Sequence, residues 1–482
     1  MCAAVIVFLA GGGTAAAQAT VPAPWADRDI GSPVVAGKAT GTRDDFTITA
    51  AGADVWGTSD QFHFVYLPVA GDVDVRARVL SITAANAWSK AGVMIRASLD
   101  PSSAHAFMLS SAGKGVAFQR RTVAGGISTN TAGPLAAPPQ WVRLLRVGSL
   151  VTAYTSPDGS SWTAIGSATI ALSSTAYVGV AVTAHNEFTT TTAHVSNVSV
   201  LPSGQQAIDI GAPALPGSTA YGSSIYNITA AGRDIWDTAD QFHFVFQPAA
   251  GDIDVSARVS SIGYADQWSK AGVMIRESLS AGSRHAFALA SAGRGYAFQR
   301  RVTTNGVSEH TGGPLSPPPG WVRLTRVGNV FTAYVSADGQ TWQTIGSDTI
   351  SMASAVYVGL AATSHNTAAY STSKVDHFRV ASVASAPPTS GAPQGVAFQE
   401  PLDQMALVSS FRLDVFTANA DPATATPVST VNVGKPAPDA TGVITVSVPT
   451  FFSALATGTY QLTVVAVGPG GIGRSVPIVF TR

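Results

Sequence analysis

One long segment of this 482-residue chain is written twice. DVWGTSDQFH at 54–63 returns as DIWDTADQFH at 234–243, and WSKAGVMIR occupies 88–96 and, unchanged, 268–276. AFQRR stands at 117–121 and 297–301, and PPQWVRLLRVG at 138–148 becomes PPGWVRLTRVG at 318–328. Each pair is 180 positions apart, so no net insertion separates the landmarks. A unit of this length is a whole domain, because solenoid repeats run to about 20–50 residues. The copies span 27–201 and 209–383; a Pro/Ser/Gly linker at 384–394 leads to a third region, 395–482, which lacks tryptophan.

Inside each copy, apolar and polar residues alternate in short runs broken by Gly, Pro, Asp and Ser, the pattern of antiparallel strands. Val73, Val75, Ala77 and Val79 fall on one face of such a run, and Asp72, Asp74, Arg76 and Arg78 on the other. Asp158-Gly159 and Asp338-Gly339 stand between β-rich runs and predict hairpins, since both residue types accept positive φ. Helical periodicity is absent, so each copy reads as an antiparallel sandwich of about twelve strands. Cys2 is the one cysteine, so no internal disulfide can form and the cores must be self-sufficient.

Ala3–Leu9 is a short apolar run, and Ala17-Gln18-Ala19 supplies the small-x-small pattern of a signal peptidase site. The expectation is a signal peptide over 1–19, loss of Cys2 with it, and a secreted, extracellular or cell-surface chain. No basic segment precedes Ala3, so the reading frame is expected to start upstream of Met1. The apolar run is too short to span a bilayer, and membrane insertion is not expected. With 28 basic and 28 acidic residues and no basic stripe, nucleic acid is not an expected partner.

The paired WSKAGVMIR segments, Asp60-Gln-Phe-His63, AFQRR, the Trp141-Val-Arg143 run and Ala184-His185-Asn186 together resemble a known group. They are similar to concanavalin A-like lectin/glucanase jelly rolls of the regulation of enolase protein 1-like family of exported bacterial domains. The resemblance implies a fold class: all-β, two tandem concanavalin A-like jelly-roll sandwiches. Leu455–Gly468, with Tyr460, Leu462 and Val464 alternating toward one side, resembles a fibronectin type III/Ig-like module and completes the chain as a third β-sandwich. Members of the group occur beside glycoside hydrolases and adhesive modules, so glycan binding or adhesion is implied, with protein partners at the C-terminal domain.

Glucanases of this fold use paired carboxylates on one strand. The chain has four glutamates, Glu187, Glu277, Glu309 and Glu400, and none recurs at the 180-residue offset. Asp72/Asp74 and Asp252/Asp254 do recur, but arginines follow them, and a charge ladder on a solvated face explains them. No catalytic residue is expected. Asp29 and Asp209 open the copies and are candidates for structural calcium, with turn capping as the alternative.

Sugar recognition wants an aromatic plate and fixed polar groups for hydroxyls. Trp88, Lys90, Arg96, His105, Gln119, Arg121, Trp141 and Arg143 supply such groups on polar strand faces in copy one. Trp268, Lys270, Arg276, His285, Gln299, Arg301, Trp321 and Arg323 do so in copy two. The expectation is a ligand groove in each copy for a polysaccharide or glycan surface, without a cofactor. The alternative is that the tryptophans are core and the arginines pair with Asp72, Asp74 or Asp60. A structural or protein-interaction surface protein and a glycan-active enzyme remain as alternative functions.

Overall fold

The computed structural model describes residues 21–399 except 383–392, and residues 405–482 except 406–407, 419, 421, 423–424, 440–442, 469–470 and 476. The expected signal peptide and most of the expected linker lie outside the described residues. Copy one is two seven-stranded antiparallel sheets face to face. The first sheet runs in the order Ala26–Ile30, Phe62–Ala70, Thr175–Thr183, Lys90–Arg96, His105–Ser111, Val116–Arg121 and Thr129–Ala132. The second runs Lys38–Thr42, Asp45–Gly52, Asn186–Pro202, Val73–Ile82, Gln140–Val147, Leu150–Ser156 and Thr163–Thr169. Copy two repeats both sheets strand for strand, so each copy has fourteen sandwich strands and exceeds the expected dozen.

Alternation builds the core between the sheets. Val75, Ala77, Val93, Ile95, Met108, Phe118, Val142 and Leu144 all point into it and are fully buried. The two hairpins fall where Asp-Gly predicted them, with longer loops than a two-residue turn: the strands Leu150–Ser156 and Thr163–Thr169 leave 157–162 between them. Asp158 accepts the N–H groups of Ser160 and Ser161, which holds its carboxyl far below the usual carboxylate range. Gly159 (φ +77°) lies under the Trp141 ring, whose atoms a Cβ would meet at 2.7 Å. Glycine is therefore required twice over at this turn.

The two sheets differ in one respect that decides where a ligand can reach. On Val73–Ile82 the outward residues stay partly exposed, but every residue of Lys90–Arg96 and of His105–Ser111 is buried. The first sheet's outer face carries a second apolar layer: Ile30, Val55, Phe62, Phe64, Met94, Phe107 and Leu109. Phe64 stacks on Tyr66 at 5.3 Å. The short strands Val55–Trp56 and Ser59–Asp60 fold over this layer and close it.

The copies touch directly. Val200 bridges Ala220 between parallel strands, and the Arg43 guanidinium lies 4.3 Å over the Tyr370 ring. In the third region Ser410–Thr417 pairs with Ser429–Gly434 and Thr459–Gly468, and Gly395–Gln399 with Val443–Ser447, around Phe411, Leu413, Ile444 and Phe452. A single helical turn, Pro449–Ser453, lies in the third region, where proline starts the helix and Phe452 drops into the core.

Candidate functional site

Two charged constellations sit on the outer face of each first sheet. The inner one is closed. Asp60, on the covering segment, receives Arg121 through both oxygens (Nη2–Oδ1 2.6 Å, Nη1–Oδ2 2.9 Å). The remaining Arg121 donors end on the carbonyls of Trp56, Gly57, Pro101, Ser103 and Gly126. Arg96 approaches the same carboxylate at 3.4 Å and donates to the carbonyls of Ser98 and Asp100. Copy two builds the same cluster from Asp240, Arg276 and Arg301. The arginines, both aspartates, His105 and His285 are all 0% exposed.

Burial lowers Arg96 and Arg276 to about 10, against the pull of the aspartate, so both stay charged at neutral pH. Burial pushes His105 to about 4 and His285 to about 3, and the neighbouring guanidiniums reinforce it. Both imidazoles are therefore neutral neighbours of the carboxylate, although they lie 3.5 and 3.8 Å from it.

The outer constellation is half open. Lys90 Nζ lies 2.5 Å from Asp54 Oδ1 and donates to Gln119 Oε1 at 2.9 Å. His185 Nδ1 meets Asp54 Oδ2 at 2.9 Å. Side-chain exposure rises along this line from 1% at Lys90 through 18% at Asp54 to 34% at His185. Lys90 Nζ also lies 5.4 Å over the Trp88 ring. Copy two repeats the arrangement with His365, Asp234, Lys270, Gln299 and Trp268, at 3.0, 2.6, 3.0 and 5.3 Å for the corresponding contacts. Burial lowers both lysines, opposed by Asp54 and Asp234.

His185 and His365 hold left-handed backbone, φ 53° and 54°. A non-glycine residue there costs about 1–3 kcal/mol, and such strain concentrates at ligand sites. In copy two Trp236 and Trp268 both stand edge-on to His310, at 6.4 and 5.6 Å; in copy one the matching positions hold Trp56, 38% exposed, and Trp88.

Of the sequence candidates, Trp88 and Trp268 are the partly exposed members of this outer constellation, with Lys90, Lys270, Gln119 and Gln299 as its buried members. Arg96, His105, Arg121, Arg276, His285 and Arg301 share the predicted strand face but are sealed beneath the covering segment, so none can meet a ligand. Trp141, Arg143, Trp321 and Arg323 lie on the outer face of the second sheet, across the whole sandwich. They cannot line the same groove. Arg143 forks onto Asp74 (Nη2–Oδ2 2.6 Å) and stacks on Tyr154 and Trp162; Arg323 does the same with Asp254. Asp72 and Asp252 each accept a backbone N–H, from Gly148 and Gly328. Asp74 and Asp254 thus pair with an arginine of the neighbouring strand, whereas Asp72 and Asp252 hold a turn amide.

Asp29 and Asp209 are capping residues here. Both oxygens of each accept one glycine N–H, Gly37 or Gly217, and a histidine Nδ1 lies at 2.7 or 2.8 Å. A Cβ on Gly37 would fall 2.6 Å from Asp29 Oδ1, so the carboxylate is closely hemmed. Among the described residues no cluster of three or more His, Cys, Asp or Glu could hold a metal ion. Sequence reasoning missed Asp54, Trp56, His185 and their copy-two counterparts as site residues. Their signal was present: Asp54 and His185 are polar residues kept at the 180-residue offset outside any alternating run.

Fold and site together define a class: a tandem all-β sandwich protein with a tryptophan-rimmed polar network duplicated on its sheet faces. Residues 214–382 match a family model described as "Protein of unknown function (DUF1349)". No curated protein matches the chain. Among solved structures, it is similar to a functionally unknown protein from Saccharomyces cerevisiae (17% identity, 38% of this chain and 98% of that chain, TM-score 0.32). It is also similar to a GH43 protein from Bacillus licheniformis (10% identity, 72% and 86%, TM-score 0.28). A third is the VIP36 exoplasmic/lumenal domain in a Ca2+/Man3GlcNAc-bound form (8%, 39% and 86%, TM-score 0.26). Overlap at this level assigns no function, which has to come from the chain's own residues.

Proposed function

We propose that the chain is an exported, non-catalytic glycan-binding or adhesion protein in which each jelly-roll copy presents one site. The observation that carries this reading is the duplicated rim of Trp56 and Trp88 around His185, Asp54, Lys90 and Gln119. Indole faces suit the C–H face of a sugar ring. Lys90 engages the Gln119 carbonyl oxygen, which leaves the amide N–H donors for hydroxyls, and Asp54 orients the half-exposed His185. Two weak sites on one chain gain avidity on a polymeric target without new contacts. Hydrolysis would need one free acid and one free carboxylate about 5–10 Å apart. Asp54, Asp60 and Asp74 are each held by a cation, and Asp72 by a backbone N–H. The domain type in this reading is the concanavalin A-like, regulation of enolase protein 1-like jelly roll, ending in a fibronectin type III/Ig-like module.

Affinity electrophoresis through gels containing soluble polysaccharides tests it. Retardation of the chain beginning at Thr20, lost on combining Trp88→Ala with Trp268→Ala, is expected; free migration on every polysaccharide would overturn the reading. The burial of ten predicted contact residues favours a second reading, a structural or protein-interaction surface protein. On that reading the same double variant alters protein partners and no glycan.

A further inference from the structure

The 180-residue register makes each site a control for the other. Asn130 stands opposite Gln119 across the sheet's edge, and His310 stands opposite Gln299 in the same register. His310 meets two indoles edge-on: Trp236 at 6.4 Å and 71°, Trp268 at 5.6 Å and 89°. Its Nδ1 is 3.4 Å from Gln299 Nε2, so the amide that would serve a ligand is already engaged. Burial, with Lys270 and Arg300 repelling a proton, pulls His310 down and keeps it a neutral aromatic ring at neutral pH. Asn130 brings no ring to that position, and Trp56 keeps 38% of its surface exposed.

We propose that residue 130/310 makes the two sites unequal: Asn130 leaves an open slot for a neutral sugar ring between Trp56 and Trp88, and His310 fills the matching slot in copy two. This rests on the glycan-binding reading and deepens it. A ring standing edge-on to two indoles takes up aromatic area that a pyranose would cover, and it engages one of the two Gln299 amide N–H groups. Copy one is the principal site, and copy two binds the same sugar at least about tenfold more weakly, a gap of about 1.4 kcal/mol or more.

Calorimetric titration of the chain with soluble neutral hexaoses (β-1,4-linked gluco-, xylo- and manno-) tests this. The wild type should bind one ligand per chain, and Trp88→Ala should abolish that binding. His310→Asn should raise the stoichiometry to two, and Asn130→His should weaken the copy-one site at least about tenfold. Near-ultraviolet circular dichroism checks that each variant is folded. Two equal sites in the wild type, or one site persisting in His310→Asn, would overturn the inference and leave the glycan-binding reading standing. Blank isotherms for the wild type with all three sugars would overturn both.

Discussion

The two charged constellations on one sheet face begin from similar parts and end in opposite roles. The Asp60 cluster has more cations than acids, no solvent access, and an arginine whose donors all end on protein oxygens. The Asp54 network also joins an aspartate, a histidine and a cation, here Lys90 with Gln119, but it opens through the partly exposed His185 beside Trp88. The difference is one of cover: the Val55–Asp60 segment lies over the first and stops at the edge of the second. A buried ion pair whose every donor is satisfied organises loops, here by gathering carbonyls from 56–57, 98–103 and 126. On the proposed reading, the partly buried network is the one that meets a ligand.

The largest effect should come from breaking the closed cluster. Asp60→Asn or Asp240→Asn strands two buried guanidiniums, a loss of about 3–5 kcal/mol in that copy. Urea unfolding followed by tryptophan fluorescence reads this; a shift below about 1 kcal/mol would put the cluster in the same class as surface pairs.

Acid should act on the same cluster. His105 and His285 titrate near 4 and 3 when folded and near 6.5 when unfolded. Between those values the unfolded chain binds more protons, so stability is full above about pH 6.5 and falls as pH drops toward 4. Each histidine contributes up to about 1.4 kcal/mol per pH unit. Melting temperatures across pH 7 to 4 should fall, and the fall should be shallower in His105→Gln.

Trp88→Ala should sharpen the contrast in the other direction. It should lower glycan affinity about tenfold or more with little change in melting temperature, because the indole is half exposed. A loss of stability as large as that of Asp60→Asn would make Trp88 a packing residue. Arg143→Ala should show the smallest effect. Its pair with Asp74 is partly exposed and worth about 0.2–1 kcal/mol, and it lies on the far sheet, so glycan retardation should not change.

Much of this was legible in residue order. The offset of 180 defined the copies, and alternation put Val73, Val75, Ala77 and Val79 on one face, the core side, and Asp74, Arg76 and Arg78 on the other, as found. Local alternation cannot say whether a polar face is covered. That depends on Val55–Asp60 folding across the strands Lys90–Arg96 and Val116–Arg121, a contact between segments about 30–60 positions apart. Trp141 and Arg143 were grouped correctly with each other and wrongly with Trp88, because strand parity fixes a face but not which sheet the strand joins. His310 was invisible as a site residue, since its meaning comes from the two indoles beside it.

The proposed recognition turns on which tryptophans a sugar touches. Two-dimensional NMR of the indole N–H groups of all nine tryptophans, recorded with and without a saturating neutral hexaose, reads this directly. Trp56 and Trp88 should shift while Trp141, Trp162 and Trp321 stay in place. Shifts confined to Trp141 and Trp162 would move recognition to the opposite sheet and contradict the account.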